Sequence, residues 1–162
     1  MKRFIIYIIG IFLVILENSV INYIDIFGAS FSVLIPFLVL ISLYLEDYDA
    51  GITGLITGLV RDITVGGIFG LNAILLSVIC YTIGHFRKNL YRDSMSMIMG
   101  LIMAVSAAYS LIYAFVSYFM YFTDGILLIL IRAAVVVPVM NMIAGFVIYK
   151  LFNSLILKLN EE

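Results

Sequence analysis

The chain has 162 residues, 65% of them hydrophobic and only 12% charged, with a formal net charge of -1 and a mean hydropathy of +1.22. A water-soluble domain is nearer half apolar and a quarter charged, so the composition points to a bilayer as solvent and to a single transmembrane helical domain over residues 1–162. At about 20 residues per spanning helix, the length accommodates six short spans and almost nothing outside them, which excludes a separate catalytic domain in water. The near-neutral charge argues against a nucleic-acid partner, which needs a basic face.

In chain order, the first apolar run extends from Phe4 to about Tyr23. Its basic start, Met1-Lys2-Arg3, resembles a signal peptide, but no small-x-small cleavage site follows cleanly, and a retained first helix is expected. A second run covers Phe31 to Leu45 and ends in an acidic loop, Glu46, Asp47 and Asp49. The 37 or so residues from that loop to Arg87 are too long for one helix and are broken by Gly66 and Gly67. They read as two helices, about Ala50–Val65 and Ile68–Phe86. A fifth run covers about Ser94–Phe122, and the last begins after Asp124-Gly125 and leaves the membrane near Lys150.

Orientation tests that count. Lys2, Arg3, Arg87, Lys88, Arg92, Lys150 and Lys158 all lie outside the proposed spans. Six spans with a cytoplasmic N-terminus place all seven in the cytoplasm, as the positive-inside rule requires. Five spans would put the cluster "RKNLYRD" on the outer face. The expectation is therefore six transmembrane helices, N-in and C-in.

Within the third run, Gly54 and Gly58 form a GxxxG pair, with Gly51 near the same stripe and Thr53 and Thr57 alongside. In lipid, helices associate through close packing that small residues permit. This helix is expected to be central and to touch at least two neighbours; the same face could serve a homodimer. Arg61 and Asp62 follow at its outer end. Adjacent helical residues point about 100° apart, so each should find a different partner, either as a structural anchor or as a contact to a partner or ligand. Glu17 and Arg132 lie at similar depth and could pair between helices. With Arg61 and Asp62 they would form a neutral four-charge network.

Asn72 and Asn141 read as interhelical hydrogen-bonding residues. Pro138 should kink the last helix, with Asn141 near the carbonyls it frees, and Pro36 should kink the second. His85 reads as an interface residue, the methionines as adaptable packing, and Cys80 has no partner cysteine. Neither a metal site nor a cofactor loop is legible, and no nucleophile has a recognisable base by spacing.

The stretch "EDYDAGITGLITGLVRDITVGGIFGLNAILLSVICYTIGHFRK" resembles the rod shape-determining protein MreD family. The resemblance is carried by the acidic loop, the G-x-x-x-G-L-x-x-D segment (Gly54, Gly58, Leu59, Asp62), the Gly70-Leu71-Asn72-Ala73 opening of the next helix, and the basic "RKNLYR" that follows. It implies a non-enzymatic inner-membrane subunit of the bacterial elongation machinery. Implied partners are MreC and, through it, the cytoskeletal MreB, RodA and a class B penicillin-binding protein. It also implies a bundle similar to the substrate-binding components of energy-coupling-factor transporters. Gly54, Gly58, Asp62, Gly70 and Asn72 are then candidate packing or partner-contact positions; Asp62→Asn is expected to spare the fold and weaken partner assembly. The alternative is a vitamin-uptake component with an outward pocket. Against it stand short outer loops (22–30, 65–67, 123–125) and a first helix whose small residues, Gly10 and Ser19, are nine apart.

Overall fold

The computed structural model describes residues 2–19, 31–65, 68–90, 94–121 and 126–160, and these are helical almost throughout, with no strand among them. Helix α1 spans Lys2–Ser19, α2 Leu34–Ser42, α3 Asp47–Val65, α4 Leu71–Phe86, α5 Met95–Tyr121, α6 Ile126–Ile131 and α7 Val137–Asn160. A π-helical turn, Arg132–Val136, joins α6 to α7 without a break, and a 3-10 turn, Arg87–Asn89, extends α4. The glycine break at residues 66–67, Arg92 and the outer loops at 22–30 and 123–125 lie outside the described residues.

Two described helices are long and apolar enough to cross a membrane, over Met95–Met120 and Leu127–Lys150, and Phe4–Ser19 is a shorter apolar helix. Both long helices present large apolar side chains outward; Phe115 is 56% and Leu127 73% exposed. The core helix of a soluble protein would bury such groups, whereas lipid solvates them.

The middle of the bundle is α2, not α3 as the glycine pattern suggested. All nine of its residues are buried, and it packs against α1, α3, α4, α5 and α7. At 1.5 Å per residue it is only about 13 Å long, so it crosses the core without meeting lipid. Pro36 does not kink it. The helix begins at Leu34, which places Pro36 in the first turn, where the missing N–H would have had no helical partner anyway.

Glycine does set a close backbone approach, between α3 and α4. A Cβ on Gly58 would lie 2.5 Å from the Ala73 Cα and 2.6 Å from the Asn72 carbonyl oxygen. One on Gly54 would lie 2.7 Å from the Leu76 carbonyl carbon. These are backbone atoms of α4, which cannot move aside. The Gly51 carbonyl also accepts a hydrogen bond from Ser77 Oγ at 3.0 Å. The neighbouring threonines are satisfied within α3: Thr53 Oγ1 donates to the Asp49 carbonyl at 2.7 Å and Thr57 Oγ1 to the Thr53 carbonyl at 2.8 Å.

Pro138 disrupts its helix, and the π-turn is the form the disruption takes. The Val137 N–H donates five residues back, to the Arg132 carbonyl, and Pro138 has no N–H to offer. The Ala133 carbonyl thus loses both possible helical donors and accepts the Ser110 hydroxyl of α5 at 2.5 Å. Asn141, expected at the freed carbonyl, works elsewhere. Its Oδ1 accepts the Ser32 N–H at 2.6 Å, and its Nδ2 donates to Ser106 Oγ at 3.1 Å.

Candidate functional site

Two carboxylates organise one end of the bundle, each in the last two turns of one helix and each capping the start of the next. A helix N-terminus leaves its first N–H groups without partners and carries partial positive charge, so a buried anion is stabilised there. Glu17, near the end of α1, is 1% exposed. It accepts the Val33 and Leu34 N–H groups at 2.8 and 2.9 Å and the Ser32 hydroxyl at 2.9 and 3.1 Å. With Ile35 N–H on Ser32 Oγ and Phe37 N–H on the Val33 carbonyl, every donor from Ser32 to Phe37 is accounted for.

Asp62, near the end of α3, treats α4 the same way. Its Oδ2 accepts the Gly70 and Ala73 N–H groups at 3.1 and 3.0 Å; Oδ1 accepts the Asn72 N–H at 3.2 Å and the Asn72 side-chain amide at 2.8 Å. Gly70, the residue before α4, has φ 89, a left-handed conformation that glycine adopts without steric cost. Asn72 in turn accepts the hydroxyl of Tyr109 from α5. Asp62 therefore spends both oxygens inside the chain. That changes the expectation for Asp62→Asn, whose amide hydrogens would face backbone N–H groups and loosen the fold itself.

Arg61 and Asp62 do point to different neighbours. While Asp62 turns to α4, Arg61 Nη2 lies 2.9 Å from Glu17 Oε1, and its guanidinium carbon sits 5.6 Å from the Tyr109 ring centroid. Glu17 thus has an ion-pair partner in Arg61, a pairing the sequence reading did not single out. Asn18 Nδ2, donating to Thr64 Oγ1 at 2.6 Å, adds a second tie between α1 and α3.

Beside this network lies a cavity of about 450 Å³. Its wall draws on the start of α2, the end of α3, α5, α6 and the π-turn, and includes Arg61, Arg132, Asn72, Tyr109, Ser110, Tyr113 and Ser117. The structure thus brings Glu17 against Arg61 and Asp62 against Asn72, and sets Arg132 on the same cavity as Arg61. Gly54 and Gly58 sit further along the α3–α4 seam.

Sequence reasoning missed the α5 contribution. Ser106, Tyr109, Ser110, Tyr113 and Ser117 recur at helical spacing along one face of an apolar helix, a polar stripe that was there to be read. Ser32 was also missed, and no spacing could have shown that it bridges Glu17 and Asn141.

The opposite end of α3 and α4 carries charges of another kind. His85 Nδ1 lies 3.5 Å from Asp47 Oδ2, and Arg87 Nη2 lies 3.9 Å from Glu46 Oε1; one partner of each pair, His85 and Glu46, is open to solvent and the other, Asp47 or Arg87, is half-buried. Tyr48, Tyr81, His85 and Phe86 form an aromatic row beside them.

Fold and site together define a helical membrane protein whose buried ionisable groups hold helix ends in place. A family model described as rod shape-determining protein MreD matches residues 2–159, nearly the whole chain. The chain belongs to the MreD family and is a rod shape-determining membrane protein of the MreB/MreC system. No curated protein and no solved structure shows a significant match, and the vitamin-uptake reading has no support.

Proposed function

We propose that the chain is a non-enzymatic, six-pass subunit of the cell-elongation machinery, set in the cytoplasmic membrane with both termini inside. In this reading it binds MreC, and through MreC joins MreB to RodA and a class B penicillin-binding protein, coupling the filament to side-wall peptidoglycan synthesis. The observation that carries the reading is the family match over residues 2–159. The distribution of the basic residues supports the orientation. Among the described residues, five separate helices and the joined α6–α7 support six passes, with α2 as an inner pass shielded from lipid.

Gly54, Gly58, Asp62 and Asn72 then serve assembly indirectly. All four are buried and fix the α3–α4 pair, leaving partner contacts to the exposed surfaces. Depletion in a rod-shaped host is the direct test. Cells should round up and recover their shape when the chain is supplied again; depleted cells that keep their rods and their side-wall synthesis would overturn the proposal.

A further inference from the structure

Much of the wall of the cavity beside Glu17 comes from the two helical stretches long enough to cross a membrane. Tyr113, Ala114 and Ser117 belong to Met95–Met120, and Ile129, Arg132 and Val137 to Leu127–Lys150. The charges on this wall are already engaged. Arg61 pairs with Glu17 and keeps its Nη1 buried, and Arg132 has a partner of its own. Ser32 donates to Glu17, Tyr109 to Asn72, and Ser110 to the Ala133 carbonyl. Two hydroxyls remain, those of Tyr113 and Ser117, one helical turn apart on α5. Neither makes a hydrogen bond among the described residues, and each can both donate and accept. The Tyr113 ring is held in place for this: it stacks on Tyr109 with centroids 6.1 Å apart, and Tyr109 is fixed by Asn72 and by the Arg61 guanidinium over its ring.

The volume, about 450 Å³, falls within the range of small-ligand sites. The rest of its wall includes Phe31, Ile35, Ile129 and Val137, which suit an aliphatic chain. One side is thin. Ile129 of α6 lines the cavity while Leu127, Leu128 and Ile131 are exposed, so one short helix, packed mainly on α5 and the π-turn, separates the volume from lipid. A charged headgroup would enter this wall without a free counter-charge, at a high desolvation cost. A neutral head that both donates and accepts meets the two open hydroxyls. We propose that the cavity binds a neutral glycerolipid of the diacylglycerol type, taken from the surrounding bilayer. The Tyr113 hydroxyl donates to an ester carbonyl, Ser117 Oγ accepts the free lipid hydroxyl, and the start of a chain lies along the apolar wall.

Native mass spectrometry of the full chain in detergent tests this, with added dioleoylglycerol, dioleoylphosphatidylglycerol and dioleoylphosphatidylcholine. The three lipids share their chains and differ only in the head, and the intact protein should retain dioleoylglycerol over both phospholipids. Tyr113→Phe keeps the ring and removes one hydroxyl, and should weaken that binding about fivefold, the worth of a neutral hydrogen bond. Ala114→Phe, which puts a ring into the cavity, should abolish it. Melting in the same detergent shows whether each variant is folded; if Ala114→Phe is not, Tyr113→Phe decides alone. Retention of none of the lipids, equal retention of all three or a preference for either phospholipid would overturn the proposal. So would dioleoylglycerol binding unchanged in Tyr113→Phe or in folded Ala114→Phe.

Discussion

The two ends of the α3–α4 hairpin use the same chemistry in opposite surroundings. At one end Glu17, Arg61 and Asp62 are sequestered, and each carboxylate takes up donors that a helix start leaves over. At the other, Glu46, Asp47, His85 and Arg87 meet at 3.5 to 3.9 Å with one partner of each pair open to solvent. Exposed pairs contribute little, because water and salt screen them and long side chains lose freedom in forming them. Buried ones are different: removing one partner leaves the other desolvated and unmatched. The ion pairs look alike on paper, and burial decides which of them the fold depends on.

The largest break in that comparison should come from Glu17→Ala. It strands the Arg61 guanidinium and the N–H groups that open α2, and should cost about 3–5 kcal/mol. Denaturation in detergent and the amount of protein accumulating in membranes would both report it. Wild-type stability in this variant would show that the buried pair is dispensable.

Close behind comes the seam itself. Gly58→Leu forces a side chain onto the α4 backbone and should cost about 3 kcal/mol or more, with loss of accumulation. Gly51→Ala, whose Cβ would sit 3.3 Å from the Tyr81 Cβ, should cost much less. Equal losses from Gly51→Ala and Gly58→Ala would show that the seam is not tightest near its buried end.

Asp62→Asn should cost about 1.5–3 kcal/mol, the worth of hydrogen bonds to a charged acceptor. Faster hydrogen exchange at Gly70, Asn72 and Ala73 would locate the damage. Unchanged exchange together with lost MreC co-purification would instead restore a partner-contact role for Asp62.

Smallest of all, Glu46→Gln or Arg87→Gln should shift stability by no more than about 0.5 kcal/mol. A larger change at this end would erase the distinction between the two.

Much of this architecture was legible in the chain. Composition dictated a helical membrane protein, because so few charges and so much apolar surface leave no other solvent. Glycine spacing marked the close face of α3, since only the absence of a Cβ allows the approach that Gly54 and Gly58 make. The adjacency of Arg61 and Asp62 was enough to predict that they turn to different neighbours, a consequence of helical geometry alone.

What only the tertiary structure decided is who those neighbours are. That Arg61 reaches Glu17 was not legible, because depth can be counted along a sequence, whereas azimuth around the bundle cannot. The choice of α2 as the centre depended on five helices closing around it, and local pattern carries no trace of that. The roles of Ser32, Ser110 and Asn141 depended on where backbone groups were left over, at the start of α2 and at the π-turn. Those unpaired donors and acceptors exist only once the helices have ends and the ends have neighbours, which is why the folded chain had to assign their partners.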